Sequence, residues 1–497
     1  MKWEKLEKKD ITLFIKLTVA SFLYVLPIIL ADRYYNDDLA RALRGATGWE
    51  GDGRPLGEYL ILLLCGGKPI VDLSPLFLIL SVLILSFALT LYAKENFKRF
   101  DCGNIEAMVL LFIITNPFAM SNLSYKYDCI IMFTALSLAF LAYTLPITGS
   151  KAKMCICSVL LGVMIMSLYQ PAIGMCIILF VVAVFFCIME DARYLAWEVI
   201  RFICIAVGVV IYKIVVAPHF VSVDDWRYKA SKTVLGLGLD AVKAVVNNIV
   251  GAFKYIGVYV SGISRLNQLV LALLIILSLI TITVNYLSLS THKTWRRLLD
   301  VVFILVSPIM VFVASFSPLV ILASVDMRSR IFLTFGGFLF FIGVLLMYFG
   351  KKHKVSVMLL LLLALSFQYI YMYAYGNALK SQKEYEKYIV YNVAHDLETL
   401  NVSDNINFVS FDGDMPRCRQ VRMICDKYPF FREIVPVYIN NDTWIGGAWV
   451  YHYLQEDIKI GYPADEDLAM IDSIEPVKDN SQYSCYIIGN RAIVRFH

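Results

Sequence analysis

Apolar residues run along this chain in long blocks, and polar residues collect between them. A helix needs about 20 apolar residues to cross a bilayer core of roughly 30 Å. Eleven such blocks are readable, at about 11–31, 74–93, 105–120, 128–146, 153–169, 171–189, 200–218, 267–287, 298–320, 331–349 and 355–375. Tyr169-Gln170-Pro171 separates the fifth from the sixth and reads either as a tight turn or as a kink. Between 219 and 266 the pattern changes. Ala241, Val245, Ile249, Phe253, Ile256 and Val260 recur at helical spacing, with Lys243 and Lys254 on other faces, which predicts a helix lying in the membrane interface.

It changes again after residue 375, where the chain takes on the composition of a soluble domain. Residues 378–400 predict a polar helix leaving the last span, and Asn407–Phe411 alternates like a strand before the turn-forming Asp-Gly-Asp. Tyr483–Ile488 and Arg491–Phe496 flank Gly489-Asn490, a two-residue hairpin signal. The expected organisation is a transmembrane domain over 1–375, with a first external loop at 32–73 and a long external loop at 219–266. A small extracytoplasmic α/β domain follows over 376–497.

Composition agrees with the block pattern. Of 497 residues, 59% are hydrophobic and 17% charged, against nearer half and a quarter in soluble proteins. The net charge of +5 needs no nucleic-acid partner, because membrane proteins keep cations in cytoplasmic loops. With the N-terminus inside, Lys94, Lys98, Arg99, Lys151, Lys153, Arg193, Lys293, Arg296, Arg297, Lys351, Lys352 and Lys354 fall in short inner loops, whereas the short outer loops carry only Lys126, Arg328 and Arg330. This asymmetry places the 32–73 loop and the C-terminal domain outside.

Most of the eleven cysteines lie in spans, where Cys acts as a small hydrophobe. Cys418, Cys425 and Cys485 fall in the C-terminal domain, where a disulfide can form, and their spacing does not suit a zinc site. Asn122, Asn401 and Asn441 open glycosylation-type triplets, a pattern that arises often by chance.

The most informative polar stretch is DRYYNDDLARALRGATGWEGDGRPLGEY, Asp32 to Tyr59. It carries five acids before Glu58 and four arginines, directly after the first span. Asp37 and Asp38 form an adjacent carboxylate pair at a membrane surface, and either could take a proton from an acceptor hydroxyl. Asp37 could equally cap a helix over Asp38–Arg44. Arg41, Arg44, Arg54, Arg328, Arg330 and Lys126 are the outer cations near span ends. Guanidinium suits phosphate because it stays charged and binds in a fork, though the same residues could simply anchor the interface. Tyr34, Tyr35, Trp49 and Tyr59 supply rings suited to the interface or to stacking on a sugar. Together these features suggest a phosphate-bearing, sugar-bearing lipid substrate.

Four stretches in order carry a resemblance: NDDLARALRGATGW with GRPLGEYL, then NPFAMSNLSYKYD, then SLYQPAIG, then MRSR. Over most of the membrane part the chain resembles the serotype-converting O-antigen glucosyltransferases of the Gtr type, which are related to the GT-C glycosyltransferases. The resemblance implies a GT-C-like bundle of about eleven helices, with its catalytic acid in the first external loop. It implies inverting transfer of glucose or a similar hexose from undecaprenyl phosphate to a polysaccharide or lipid-linked glycan such as O-antigen. In this chain it points to Asp37, with Asp38 close behind, as the base. Tyr35, Trp49, Tyr125, Tyr169 and Gln170 are the candidate contacts to sugar or acceptor. No cofactor is expected, a divalent metal at the Asp pair is an alternative the resemblance does not favour, and the location implied is the bacterial inner membrane. A glycan polymerase or ligase would place its main arginine-rich loop late in the chain. A flippase should show charges at mid-span.

Overall fold

The computed structural model describes residues 6–98, 100, 103–146, 150–190, 192–221, 238–289, 294–317, 320, 322, 325, 327–350, 353–404, 406–439, 452 and 459–497. The fold is mostly helical and divides into two compact units. One comprises Met1–Leu26, Thr47–Gly67 and Leu73–Tyr373, and the other Pro27–Ala46, Lys68–Asp72 and Ala374–His497. The first ten helices are α1 (Lys8–Ala31), α2 (Asp38–Arg44), α3 (Pro55–Cys65), α4 (Leu76–Asn96), α5 (Asn104–Leu111), α6 (Ala119–Ser124), α7 (Asp128–Ala142), α8 (Lys151–Leu168), α9 (Ile173–Met189) and α10 (Leu195–Ile211). Further helices follow at Leu239–Gly262, Arg265–Leu289, Thr294–Ala314, Gly336–Gly350 and Lys354–Asp404.

Among the described residues nine helices are long and apolar enough to cross a membrane, and two more apolar helices, α3 and α7, are shorter. All eleven apolar blocks begin a helix within a few residues of the expected place. The third does not form one rod. α5 ends at Leu111, turns occupy 112–118, and α6 starts at Ala119. The cause is Pro117, which lacks an amide donor and disfavours helical geometry at Asn116. Asn116 fills the break with its side chain, accepting from Ala119 N (3.0 Å) and donating to Ile113 O (3.1 Å) and Leu333 O (3.3 Å). The Tyr169-Gln170-Pro171 junction is a true break: Tyr169 is extended, and a 3₁₀ turn over Gln170–Ala172 leads into α9.

Glycines allow α8 and α10 to approach closely. A Cβ on Gly162 of α8 would lie 2.5 Å from Ile205 O, and one on Gly208 of α10 would lie 2.3 Å from Val159 O. Small residues let helix backbones approach closely. The other helix ends carry their own charges: Arg201 pairs with Glu198 at 3.1 Å, and Lys151 lies 4.0 Å over the Trp197 ring. In the Leu239–Gly262 helix, Asn248, Ala252, Ile256 and Tyr259 are buried, while Phe253 and Val260 of the predicted apolar face are exposed. The helix forms as expected, and Phe253 and Val260 lie off the stripe it buries against the protein.

The second unit holds a five-stranded sheet in the order β2-β1-β5-β4-β3: β1 (Phe408–Asp412), β2 (Lys459–Gly461), β3 (Lys478–Asp479), β4 (Tyr483–Ile488) and β5 (Arg491–Phe496). β1 runs parallel to β2 and β5; β4 pairs antiparallel with β5 and β3. The β4–β5 hairpin has the strand limits the alternation predicts. Its core joins Val409, Phe411, Cys485 and Val494 to Ile389, Val393 and Leu397 of the Lys354–Asp404 helix, and also to Leu39 of α2. The first polar loop therefore belongs in part to this unit. Cys418, Cys425 and Cys485 are free, so no disulfide joins them, and burial pushes the Cys485 thiol up to about 12.

Candidate functional site

In the helical unit, Arg54 is delivered by a tight turn. Gly53 N donates to Glu50 O at 2.9 Å, and Arg54 N donates to Trp49 O at 2.8 Å. Gly53 takes φ +72°, and a Cβ there would lie 2.7 Å from the Tyr212 hydroxyl, so the turn requires glycine. The buried Glu58 carboxylate accepts from Gly48 N (3.2 Å) and Glu50 N (3.1 Å). Gln170 Nε2 donates to Gly53 O at 3.0 Å and Asp52 O at 3.3 Å, and the Tyr212 hydroxyl also donates to Gly53 O. Tyr212 opens a π-helical turn, Tyr212–Val216, after α10. Such bulges often re-aim a side chain at a functional place. Pro55, at the first position of α3, starts the helix right after Arg54.

The Arg54 guanidinium meets two groups. Its Nη1 donates to Asp128 Oδ1 at 3.4 Å, and its Cζ lies 5.0 Å from the centre of the Tyr169 ring. The same Asp128 oxygen accepts from Trp49 Nε1 at 2.9 Å. Asp128 stands in the first turn of α7, where the helix dipole favours a carboxylate. Tyr169 links this group to Arg330, because its hydroxyl donates to Arg330 O at 2.7 Å. Asn122 Nδ2 donates to the same carbonyl at 3.0 Å, and Arg330 Nη1 donates to the Tyr125 hydroxyl at 3.0 Å. Arg330 sits in the 3₁₀ stretch Ser329–Phe335, tied to the broken third block by Ser329 Oγ donating to Phe118 O at 2.8 Å. The result, among the described residues, is a partly buried cluster that holds the Arg54 and Arg330 guanidiniums and the Asp128 carboxylate paired with Arg54.

Of the residues singled out by sequence, this cluster unites Arg54, Arg330, Trp49, Tyr125, Tyr169 and Gln170. Lys126 is half-buried next to Tyr125, and Arg328 is exposed. The aromatic residues do not offer open stacking faces: Trp49, Tyr169, Tyr125 and Tyr35 are each 4% exposed or less. Their rings are packed inside the protein, and their polar atoms hold neighbouring groups. Asn122 is fully buried, which leaves no room for a glycan there, and Asn441 lies outside the described residues.

Asp37, Asp38, Arg41, Arg44 and Tyr35 belong to the second unit. α2 spans Asp38–Arg44 as the spacing predicts, but Asp37 does not cap it. Its carboxylate turns to Arg41, accepting from Nε at 2.8 Å and pairing with Nη2 at 2.7 Å. Asp38 is wholly buried and accepts from Tyr35 N at 3.1 Å. Asn36, at φ +50°, is held by the Tyr438 hydroxyl at 2.7 Å, and Arg44 is exposed. Burial and a hydrogen bond to Asp72 push the Tyr34 phenol well above its ordinary value.

Sequence reasoning passed over Asp128, Asn122, Glu58 and Tyr212. Asp128 carried a signal, an acid heading an apolar block, but it reads equally as part of an interfacial belt. Among the described residues no group of three or more His, Cys, Asp or Glu is placed to hold a metal ion.

A family model described as glucosyl transferase GtrII matches residues 26–347. Over 500 residues, spanning all of both chains, the protein is 25% identical to a Salmonella phage P22 protein described as an uncharacterized 55.3 kDa protein in the gtrB 5′ region. No solved structure matches. The matched segment takes in the Arg54–Asp128–Tyr169–Arg330 cluster and the Asp37–Asp38 pair, and it shows that the chain belongs to the GtrII glucosyl transferase family.

Proposed function

We propose that this protein is a polytopic membrane glycosyltransferase that moves glucose, or a similar hexose, from a polyprenyl-phosphate carrier to a glycan such as O-antigen. The family supports the transferase class. The donor, the inverting course and the outer-face location rest on the Gtr-type resemblance and on the charge asymmetry of the loops. The acceptor hydroxyl attacks the anomeric carbon, the bond from that carbon to the phosphate oxygen breaks, and polyprenyl phosphate leaves with added charge. The acceptor proton passes to a carboxylate. That role falls to the Asp37–Asp38 pair, with Asp37 ahead because Asp38 is sealed in the core of its unit.

The observation that carries the proposal is that Tyr169 brings Arg54 and Arg330 together, its ring against the Arg54 guanidinium and its hydroxyl on the Arg330 carbonyl. Guanidiniums held in a partly buried place stabilise charge that grows on a leaving phosphate, often the largest catalytic contribution. Purified protein should convert polyprenyl-phosphate glucose to polyprenyl phosphate and glucosylated acceptor, tracked with labelled glucose. Absence of donor consumption in the presence of the native glycan would refute this assignment.

A further inference from the structure

Asp128 sits at the hub of the cluster, yet its acid group has no part in the chemistry just described. Its Oδ1 is shared by Trp49 Nε1 at 2.9 Å and Arg54 Nη1 at 3.4 Å. Its side chain is 7% exposed, against 17% for Arg54. The two contacts differ in kind. The indole bond is of ordinary length and fixes the carboxylate. The contact to Arg54 is long for a charge-assisted bond, which usually closes to about 2.7–2.9 Å. Arg54 is thus oriented without being used up. A guanidinium has five N–H donors, and its Nε is buried with no hydrogen-bond partner among the described residues. From another side the Tyr169 ring limits its movement at 5.0 Å. The backbone beneath it is held by Glu58, Gln170 and Tyr212.

We infer that Asp128 is a positioning residue: it and Trp49 aim the Arg54 guanidinium so that its remaining donors meet the phosphate of the donor. The inference rests on the phosphate role proposed for Arg54. It distinguishes Asp128 from a carboxylate that only stabilises the start of α7, because that role would not depend on Arg54.

The test is a double-mutant cycle in the purified full-length protein, using polyprenyl-phosphate glucose as the probe. Asp128→Asn keeps an oxygen for Trp49 and loses the charge that orients Arg54. It should lower kcat about 10-fold and change the donor KM less than about 3-fold, because phosphate charge grows in the transition state. In an Arg54→Ala background the same substitution should have almost no further effect. An equal loss in both backgrounds would mean an independent structural role and overturn the inference. So would an Asp128→Asn protein with normal kcat while Arg54→Ala is impaired. Normal turnover in Arg54→Ala itself would instead remove the phosphate reading, and this inference with it. If Asp128→Asn does not accumulate in membranes, Asp128→Glu serves in its place. It keeps the charge but displaces the carboxylate by one methylene, and should lower kcat only where Arg54 is present.

Discussion

Among the described residues of the Arg54–Arg330 cluster, Arg54 pairs with Asp128 by a long contact of 3.4 Å, and Arg330 donates to the Tyr125 hydroxyl. In the second unit the cations are matched closely. Arg33 meets Glu386 at 2.7 Å, Arg41 meets Asp37 at 2.7 Å, Arg491 meets Asp467 at 2.7 Å, and Arg495 lies between Asp412 and Asp472. The contrast is not one between helices and sheets. The helical unit closes its own Arg201–Glu198 pair at 3.1 Å away from the cluster. Within the cluster, aromatic side chains help hold both guanidiniums: Arg54 lies over the Tyr169 ring, and Arg330 donates to the Tyr125 hydroxyl. Charges that only stabilise a fold are neutralised by a nearby opposite charge when buried.

The strongest way to probe this contrast is in the second unit. Arg33 and Glu386 have side chains 1% and 2% exposed, with the Arg33 guanidinium 4.6 Å from the centre of the Tyr438 ring. Removing one partner leaves a buried charge, so Glu386→Gln or Arg33→Met should destabilise the protein by about 3–5 kcal/mol. The double substitution Arg33→Met with Glu386→Leu should recover most of that loss. Thermal unfolding in detergent reads both results. Single variants as stable as the parent would show that this pair is not structural and would blur the comparison.

The next effect concerns the exception within that unit. Asp37 is paired with Arg41 but partly exposed, and it carries the proposed base. Asp37→Asn should lower turnover by about 100-fold or more while leaving the melting temperature nearly unchanged. Asp38→Asn should act mainly through folding, because Asp38 is buried and holds Tyr35 N. Near-normal transfer by Asp37→Asn would place every acid of this unit on the structural side. A smaller effect is expected from Arg54→Lys, which keeps the charge and loses the fork. Its turnover should fall between those of the parent and Arg54→Ala.

The helical part of the fold was legible because long apolar helices impose a long, simple apolar pattern. The break at Asn116-Pro117 was not read, since the surrounding residues stay apolar on both sides of it. The β4–β5 hairpin was legible from alternation and its Gly-Asn turn, both local signals. Arg54 and Arg330 stood out as cations at block ends. Their meeting through Tyr169 depends on contacts between residues far apart in sequence, which no local pattern encodes. Trp49 shows the limit most clearly. An aromatic residue in a polar loop reads as an exposed ring, whereas here one N–H bond to Asp128 accompanies complete burial. Tertiary contacts likewise drew Leu39 of the first loop into the core of the C-terminal unit.

The central claim is that Arg54 and Arg330 stabilise the leaving phosphate. It is tested most directly by single-turnover transfer of labelled glucose from polyprenyl-phosphate glucose by the purified parent, Arg54→Ala and Arg330→Ala proteins. Each alanine variant should transfer about 100-fold more slowly at saturating donor, with its thermal unfolding little changed. Rates equal to the parent in both variants would contradict the account and make these arginines interface anchors.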